Sequence, residues 1–320
     1  MSKSKTQTHK AQHFVPKCYL RAWIDLSSEN KKDIEPYIWV FDKDGSNPKN
    51  KSPKKIFTET DIYTIHTPDG QRDLTLELGF SELENRFTHI RDSKLSLKGK
   101  IELDELAYLH VFIATSQLRT PSMRDFHLSQ LAGIRGRMED LEVALDSKTP
   151  EQRRQYANMS PISSSNSKGL TIEDIKERES EPFHKVLLPM LKVILPTFWN
   201  MSLAILCTDD DVGFVTSDTP CVWYDPEAYK RSPIFRGPGL MNPLVEITLP
   251  ISPSQCLLLS HQNLTGYIDV DEDTVMNMNR RQIGYCDSAF ILNKNKLNPE
   301  WFNRIPLPED AWEFKSQNAS

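Results

Sequence analysis

The chain has 320 residues, 38% of them hydrophobic and 26% charged, with six Trp and fourteen Phe. That composition supplies a packed core and excludes a wholly disordered chain. A formal net charge of -5 gives no whole-molecule attraction for polyanions, so any nucleic-acid partner would have to meet a local basic surface.

Residues 1–10 are polar and basic with no apolar run behind the lysines, which reads as a flexible arm and not as a secretory signal. No later stretch approaches the roughly 18 uninterrupted apolar residues of a membrane span. Cys18, Cys207, Cys221, Cys256 and Cys286 are dispersed, odd in number and never in a C-x-x-C pair, which disfavours a disulfide framework and a thiolate zinc site. The expectation is a cytoplasmic protein with reduced thiols and no membrane contact, residues 11–320 forming one domain.

His13-Phe-Val-Pro-Lys-Cys-Tyr-Leu-Arg21 opens the ordered part, with Pro16 near the first turn of a short helix whose apolar face is Phe14, Tyr19, Leu20 and Trp23. Residues 37–41 read as a strand running into the hairpin signal Asp44-Gly45. The lysine run at 49–55 reads as a solvated loop, and residues 61–65 as a further strand ending at Thr67-Pro-Asp-Gly70. From 74 to 92 the spacing becomes helical, with Leu76, Phe80, Leu83, Phe87 and Ile90 on one face and Glu84 at its margin.

Residues 103–116 are apolar around most of the helical circumference, which predicts a buried helix carrying His110. It runs into Gln117-Leu-Arg-Thr-Pro121, where proline breaks or kinks the helix before helical character resumes over 123–145. A buried amide without partners costs roughly 2–7 kcal/mol. Gln117 and Arg119 must therefore be answered from elsewhere, and His13, Glu84 and Asp218 are the candidate partners.

Between 147 and 171 the pattern fails in a polar, serine-rich segment, the best candidate for a flexible loop. Helical spacing returns over 173–195, interrupted by Pro182 and Pro189. After Pro196 the pattern is β: residues 199–207 and 212–216 read as two strands joined by the acidic turn Asp209-Asp-Asp211, followed by 221–224 and a hairpin of 245–250 with 256–260. The three aspartates offer a cation site or a solvated hairpin tip. A last helix over 271–283 begins with acids suited to a helix N-terminus and carries Asn279, and a strand at 289–292 follows. The predicted fold is α+β, a helical layer from about 74 to 195 on a mainly antiparallel sheet built from the N-terminal hairpin and residues 199–292.

Glycine is sparse, and no phosphate-binding glycine loop, H-e-x-x-H-type zinc motif or G-x-S-x-G elbow occurs. No nucleotide-cofactor motif is present. Three stretches together carry a resemblance: the His13 to Arg21 segment, Gln117-Leu-Arg-Thr-Pro121, and Gly213-Phe-Val-Thr-Ser-Asp-Thr-Pro220 followed by Leu249-Pro-Ile-Ser-Pro253. They resemble the bacterial domain-of-unknown-function family 4238 over roughly residues 13–291. The resemblance implies a bacterial α+β domain with no settled activity, and points to His13, Gln117, Arg119, Ser217, Asp218 and Asn279 as the matching positions.

One expectation is a metal-dependent phosphoesterase or nuclease acting on nucleic acid or a nucleotide. Glu84 and Asp218 would hold Mg2+ or Mn2+, with His13, Gln117, Arg119 and Asp218 as catalytic groups and Ser217 and Asn279 on the substrate. The alternative is a non-enzymatic binding or sensor module in which Arg119 pairs with Asp218 and the polar cluster only locks helices onto sheet. By analogy with other bacterial families, a role in defence or stress response would place function on the 49–55 and 147–171 segments.

Overall fold

The computed structural model describes residues 11–29, 34–66, 69, 71–158 and 169–303. The basic arm, Thr67, Pro68 and Gly70 of the expected turn, and the serine-rich centre of the 147–171 segment lie outside the described residues. The chain divides into two compact units, residues 1–120 with 191–320, and residues 121–190. The fold is α+β.

The first unit opens with β1 (Ala11–His13), the short helix α1 (Lys17–Leu20), a 3-10 turn (Arg21–Trp23) and α2 (Leu26–Glu29). Pro16 precedes α1 with φ fixed at -58°, the use of proline at a helix start that the sequence predicts. Then come β2 (Ile38–Asp42), β3 (Lys49–Lys51), β4 (Thr58–Thr60), β5 (Ile65–His66) and β6 (Arg72–Asp73).

The lysine run is not simply a loop. Lys49, Asn50 and Lys51 pair with β2 as an exposed edge strand, and Lys54 and Lys55 reach Glu35. Lysines suit such an edge because their charge deters pairing with another chain. The strand expected over 61–65 is also broken. Asp61 sits at φ +54°, so β4, which pairs with β1, ends before the turn that leads to β5.

Helix α3 (Thr75–Ser93) buries Leu76, Phe80, Phe87 and Ile90, the predicted stripe. Helix α4 (Leu103–Leu118) starts with a reciprocal capping box between Glu102 and Glu105. Phe87 and Phe112 stack at 3.7 Å, and Tyr19 and Trp23 extend the aromatic cluster.

In the second unit, α5 (Pro121–Asp146) has Pro121 at its first position, where the missing N–H is harmless, so the proline starts a helix and does not kink one. Helix α6 (Pro150–Asn158) occupies part of the segment expected to be irregular. Helix α7 (Ile172–Ser180) is capped by Thr171 and Asp174, and Arg135 of α5 bridges Glu179 of α7. A π-helical turn (Phe183–Leu187) leads into α8 (Leu188–Trp199), which continues through Pro196 into the first unit's residues.

The first unit resumes with β7 (Ser202–Cys207), β8 (Thr216–Ser217), β9 (Val222–Tyr224), β10 (Glu246–Ser252), β11 (Gln255–Ser260), β12 (Gly266–Asp269), α9 (Glu272–Tyr285) and β13 (Ala289–Leu292). Among the described residues one sheet runs β12-β7-β11-β10-β9 and another runs β3-β2-β13-β8, with β1-β4 and β5-β6 as smaller pairs. The expected hairpin of 199–207 with 212–216 does not form. Its two halves enter different sheets, and the acidic turn crosses between them.

Helix α9 packs on both sheets. Val275 joins Ala204, Leu206, Phe214 and Leu258, and Ile283 joins Phe41, Val215, Phe290 and Trp301. Val275, Asn279 and Ile283 recur every four residues, so Asn279 lies on the apolar face between them. That position forces the amide to find partners inside.

Candidate functional site

Arg119 ends α4 and is 2% exposed. Its Nη1 donates to Glu84 Oε1 at 2.8 Å, its Nε to the Tyr63 hydroxyl at 3.2 Å, and its Nη2 to the His13 carbonyl. Tyr63 returns a hydrogen bond to the Arg119 carbonyl at 3.0 Å. The guanidinium also lies 4.6 Å from the Phe80 ring centre, so its flat face is covered as well. Burial alone would pull this group down, yet Tyr63 and Glu84 outweigh it and hold the positive charge more firmly than water does. Burial, opposed by Arg119, pushes the Tyr63 phenol up to about 12.

His13 is present in this cluster chiefly through its backbone. Its imidazole Nε2 lies 3.3 Å from the Pro53 carbonyl, and burial lowers its pKa against the opposing pull of Pro53 and Glu84. Cys18, the second residue of α1, points at Glu84 with its sulfur 3.9 Å from the carboxylate, and burial and Glu84 both push the thiol up. A thiol held protonated is a poor nucleophile. Gln117 is buried but its Oε1 has no hydrogen-bond partner. His110, the other histidine of α4, bonds the Leu106 carbonyl one turn back.

Asp218 belongs to a different network. Its Oδ1 accepts from the Asp287 N–H at 2.9 Å, and its Oδ2 accepts from the Ser288 N–H at 2.7 Å, the Ser288 hydroxyl at 2.6 Å and the Ala289 N–H at 3.0 Å. It anchors the start of β13 beside β8. Ser217 bonds within its own turn to Thr219 and accepts from Gln282 Nε2 at 2.7 Å. Asn279 accepts from Val215 N and donates to the Gly213 carbonyl, both at 2.9 Å, as a strand neighbour would.

The predicted residues thus fall into two groups. Glu84, Arg119 and the backbone of His13 meet around Tyr63, while Ser217, Asp218 and Asn279 tie the Thr216 turn to α9 and β13. The ion pair expected between Arg119 and Asp218 is replaced by Arg119 with Glu84, because Asp218 is taken by backbone N–H groups. Glu84 and Asp218 do not share a ligand position, and among the described residues no three His, Cys, Asp or Glu side chains are grouped to hold a metal ion. Of the acidic turn, Asp210 accepts from two backbone N–H groups, and Asp211 pairs with Lys294 and Lys296, which pull its carboxyl down to about 2.

Helix α1 stands between the two groups. Tyr19 bonds the Thr216 hydroxyl at 2.7 Å and also the Pro250 carbonyl, Trp23 bonds the Phe214 carbonyl at 2.9 Å, and Cys18 faces Glu84. The next residue of the same segment, Arg21, borders a cavity of about 840 Å³. The cavity lies where the parallel strands β7 and β12 end at Cys207 and Asp269, beside the β10-β11 turn and the last turn of α3. The carboxyl ends of parallel strands are the usual place for a ligand crevice. Sequence reasoning missed it, although Arg21 closes the first motif and Asp209 lies in the acidic turn.

Among the described residues no helix is long and apolar enough to cross a membrane. The family described as "Protein of unknown function (DUF4238)" matches residues 11–296. The chain belongs to that family. No curated protein and no solved structure matches it.

Proposed function

We propose that this DUF4238 member is a non-enzymatic ligand-binding module, in which the polar residues of its motifs form the frame and the adjoining cavity receives the ligand. The engagement of Asp218 supports the reading: its two oxygens already accept four hydrogen bonds from residues 287–289. Little acceptor capacity is left for a cation or an attacking water.

The same holds for Arg119, whose three donor nitrogens are committed to Glu84, Tyr63 and His13. A metal-dependent phosphoesterase would need Glu84 and Asp218 to leave these partners and converge on one ion, since a hard cation needs its oxygens at 2.0–2.6 Å, roughly. The cavity keeps polar groups that the frame does not use.

The test is to incubate the purified chain with tRNA, single-stranded DNA and duplex DNA, with Mg2+ or Mn2+ and with chelator. No cleavage is expected. Chelator-sensitive cleavage that disappears in an Asp218→Asn protein of unchanged Tm would overturn the reading in favour of catalysis.

A further inference from the structure

The walls of the 840 Å³ cavity carry both signs of charge. Lys98 donates to Asp269 at 2.7 Å, so these two charges are matched inside the protein, whereas Arg91, which donates to Asp92 at 2.8 Å and to the Cys18 carbonyl at 3.0 Å, is only partly engaged. Arg21 and Asp209 are left over. Neither makes a side-chain hydrogen bond or ion pair with another described residue, although Asp209 lies close enough to Lys98 to help raise its pKa, and the two are of opposite sign.

Arg91 adds a prepositioned cation. It is 8% exposed and held over the Phe87 ring at 5.7 Å, with Nε and Nη1 engaged by Asp92 and Cys18 and Nη2 without a partner among the described residues. A planar guanidinium held this way is suited to an oxyanion, because little side-chain entropy is lost on binding. Asp209, an acceptor without a donor, suits a hydroxyl, and Ser96 and Ser254 add hydroxyls to the same lining.

The volume falls in the range of small-ligand sites, roughly 300–1,000 Å³. No aromatic side chain is among the described lining residues, so a nucleobase would have nothing to stack on. An apolar ligand would strand the charged walls without partners. What remains is a compact molecule with one anionic group and several hydroxyls.

We infer that the cavity binds a small phosphorylated polyol of the sugar-phosphate class, with its phosphate at Arg21 and Arg91 and its hydroxyls at Asp209 and Ser254. The inference rests on the binding-module reading above. Titration calorimetry of the full chain with ribose 5-phosphate, inorganic phosphate and ribose tests it.

Ribose 5-phosphate is expected to bind saturably and about tenfold tighter than inorganic phosphate, with ribose alone giving no signal. Arg21→Gln, at an exposed position, should weaken both phosphate compounds about tenfold. Asp209→Asn should weaken ribose 5-phosphate and leave inorganic phosphate unchanged. Absence of ribose 5-phosphate binding, equal affinity for phosphate alone, or full affinity in Arg21→Gln would overturn the assignment. Such a result without nuclease activity in the wild type would fail the ligand class while leaving the frame intact; cleavage by the wild type would instead fail the frame.

Discussion

Arg119 Nη1 lies 2.8 Å from Glu84 Oε1, joining the residue that caps the end of α4 to the middle of α3. The arginine side chain is 2% exposed and the glutamate 20%. Removing one partner of such a pair leaves the other charge without compensation, which typically costs about 3–5 kcal/mol. Arg119→Met should therefore destabilise by about that amount, and Glu84→Gln, which keeps an acceptor near a solvent path, by about 1–2 kcal/mol. Urea unfolding of the two single variants and the double variant measures the coupling, and the double variant should lose less stability than the sum of the two single losses because each charge is the other's counterion.

Asp218→Ala removes the acceptor for three backbone N–H groups and one hydroxyl at residues 287–289. A loss of about 3 kcal/mol or more is expected, and a smaller one for Asp218→Asn, which retains one acceptor oxygen. Amide hydrogen exchange at Asp287, Ser288 and Ala289 should accelerate in both variants. Unchanged protection there would mean the carboxylate does not hold the strand.

Gly213 has φ +69°, and a Cβ at that position would stand 1.9 Å from the Pro253 carbonyl oxygen. The contact is backbone, which has no flexible end to move aside. Phe214 N also donates to that oxygen at 2.7 Å, so relief of the clash would break the hydrogen bond. Gly213→Ala should lower stability by about 3 kcal/mol or more, combining strain and overpacking. The Tm against wild type is the measurement, with Gly237→Ala as the control because nothing lies within 4 Å of its Cβ.

Burial lowers the pKa of His13, and the nearby Arg119 and Lys17 act in the same direction. The unfolded chain then binds the proton more readily than the folded one. The stability from the neutral imidazole is fully present above the ordinary histidine value of about 6.5 and is lost as pH falls through the lowered folded value. His13→Gln should flatten the stability curve below about pH 6.5. His127, also lowered by burial, remains in the variant, so the difference between the two curves belongs to His13.

The long helices were legible because their apolar spacing matches the side they bury, as Phe80, Phe87 and Ile90 do on α3. The β10-β11 hairpin was legible from its short apolar runs, which are buried almost throughout. The short strands were not: Lys49, Asn50 and Lys51 are fully exposed, so no alternation records their pairing with β2. Nor does any local signal say that residues 202–207 and 216–217 enter different sheets, since that division depends on the tertiary position of α9.

At the candidate site, Asn279 entered through the family resemblance. The reasoning that buried polar groups need partners marked Gln117 and Arg119, with His13, Glu84 and Asp218 as candidate partners, although among the described residues Gln117 Oε1 has none. It misassigned the partner of Arg119, because a carboxylate in sequence carries no mark showing whether backbone N–H groups will claim it. Arg21 escaped notice for the opposite reason. It has no buried charge to explain, and its interest appears only when the cavity beside it is seen.

Helix α1 is one turn long, far below the length at which a helix persists alone in water. It exists because Cys18, Tyr19 and Trp23 are gripped by α3 and by the strand turns around Thr216 and Pro250. Whatever occupies the space at Arg21 therefore pulls on a lever whose other arms are fixed in both halves of the frame. Occupancy should be felt as a rise in the unfolding temperature of the whole first unit.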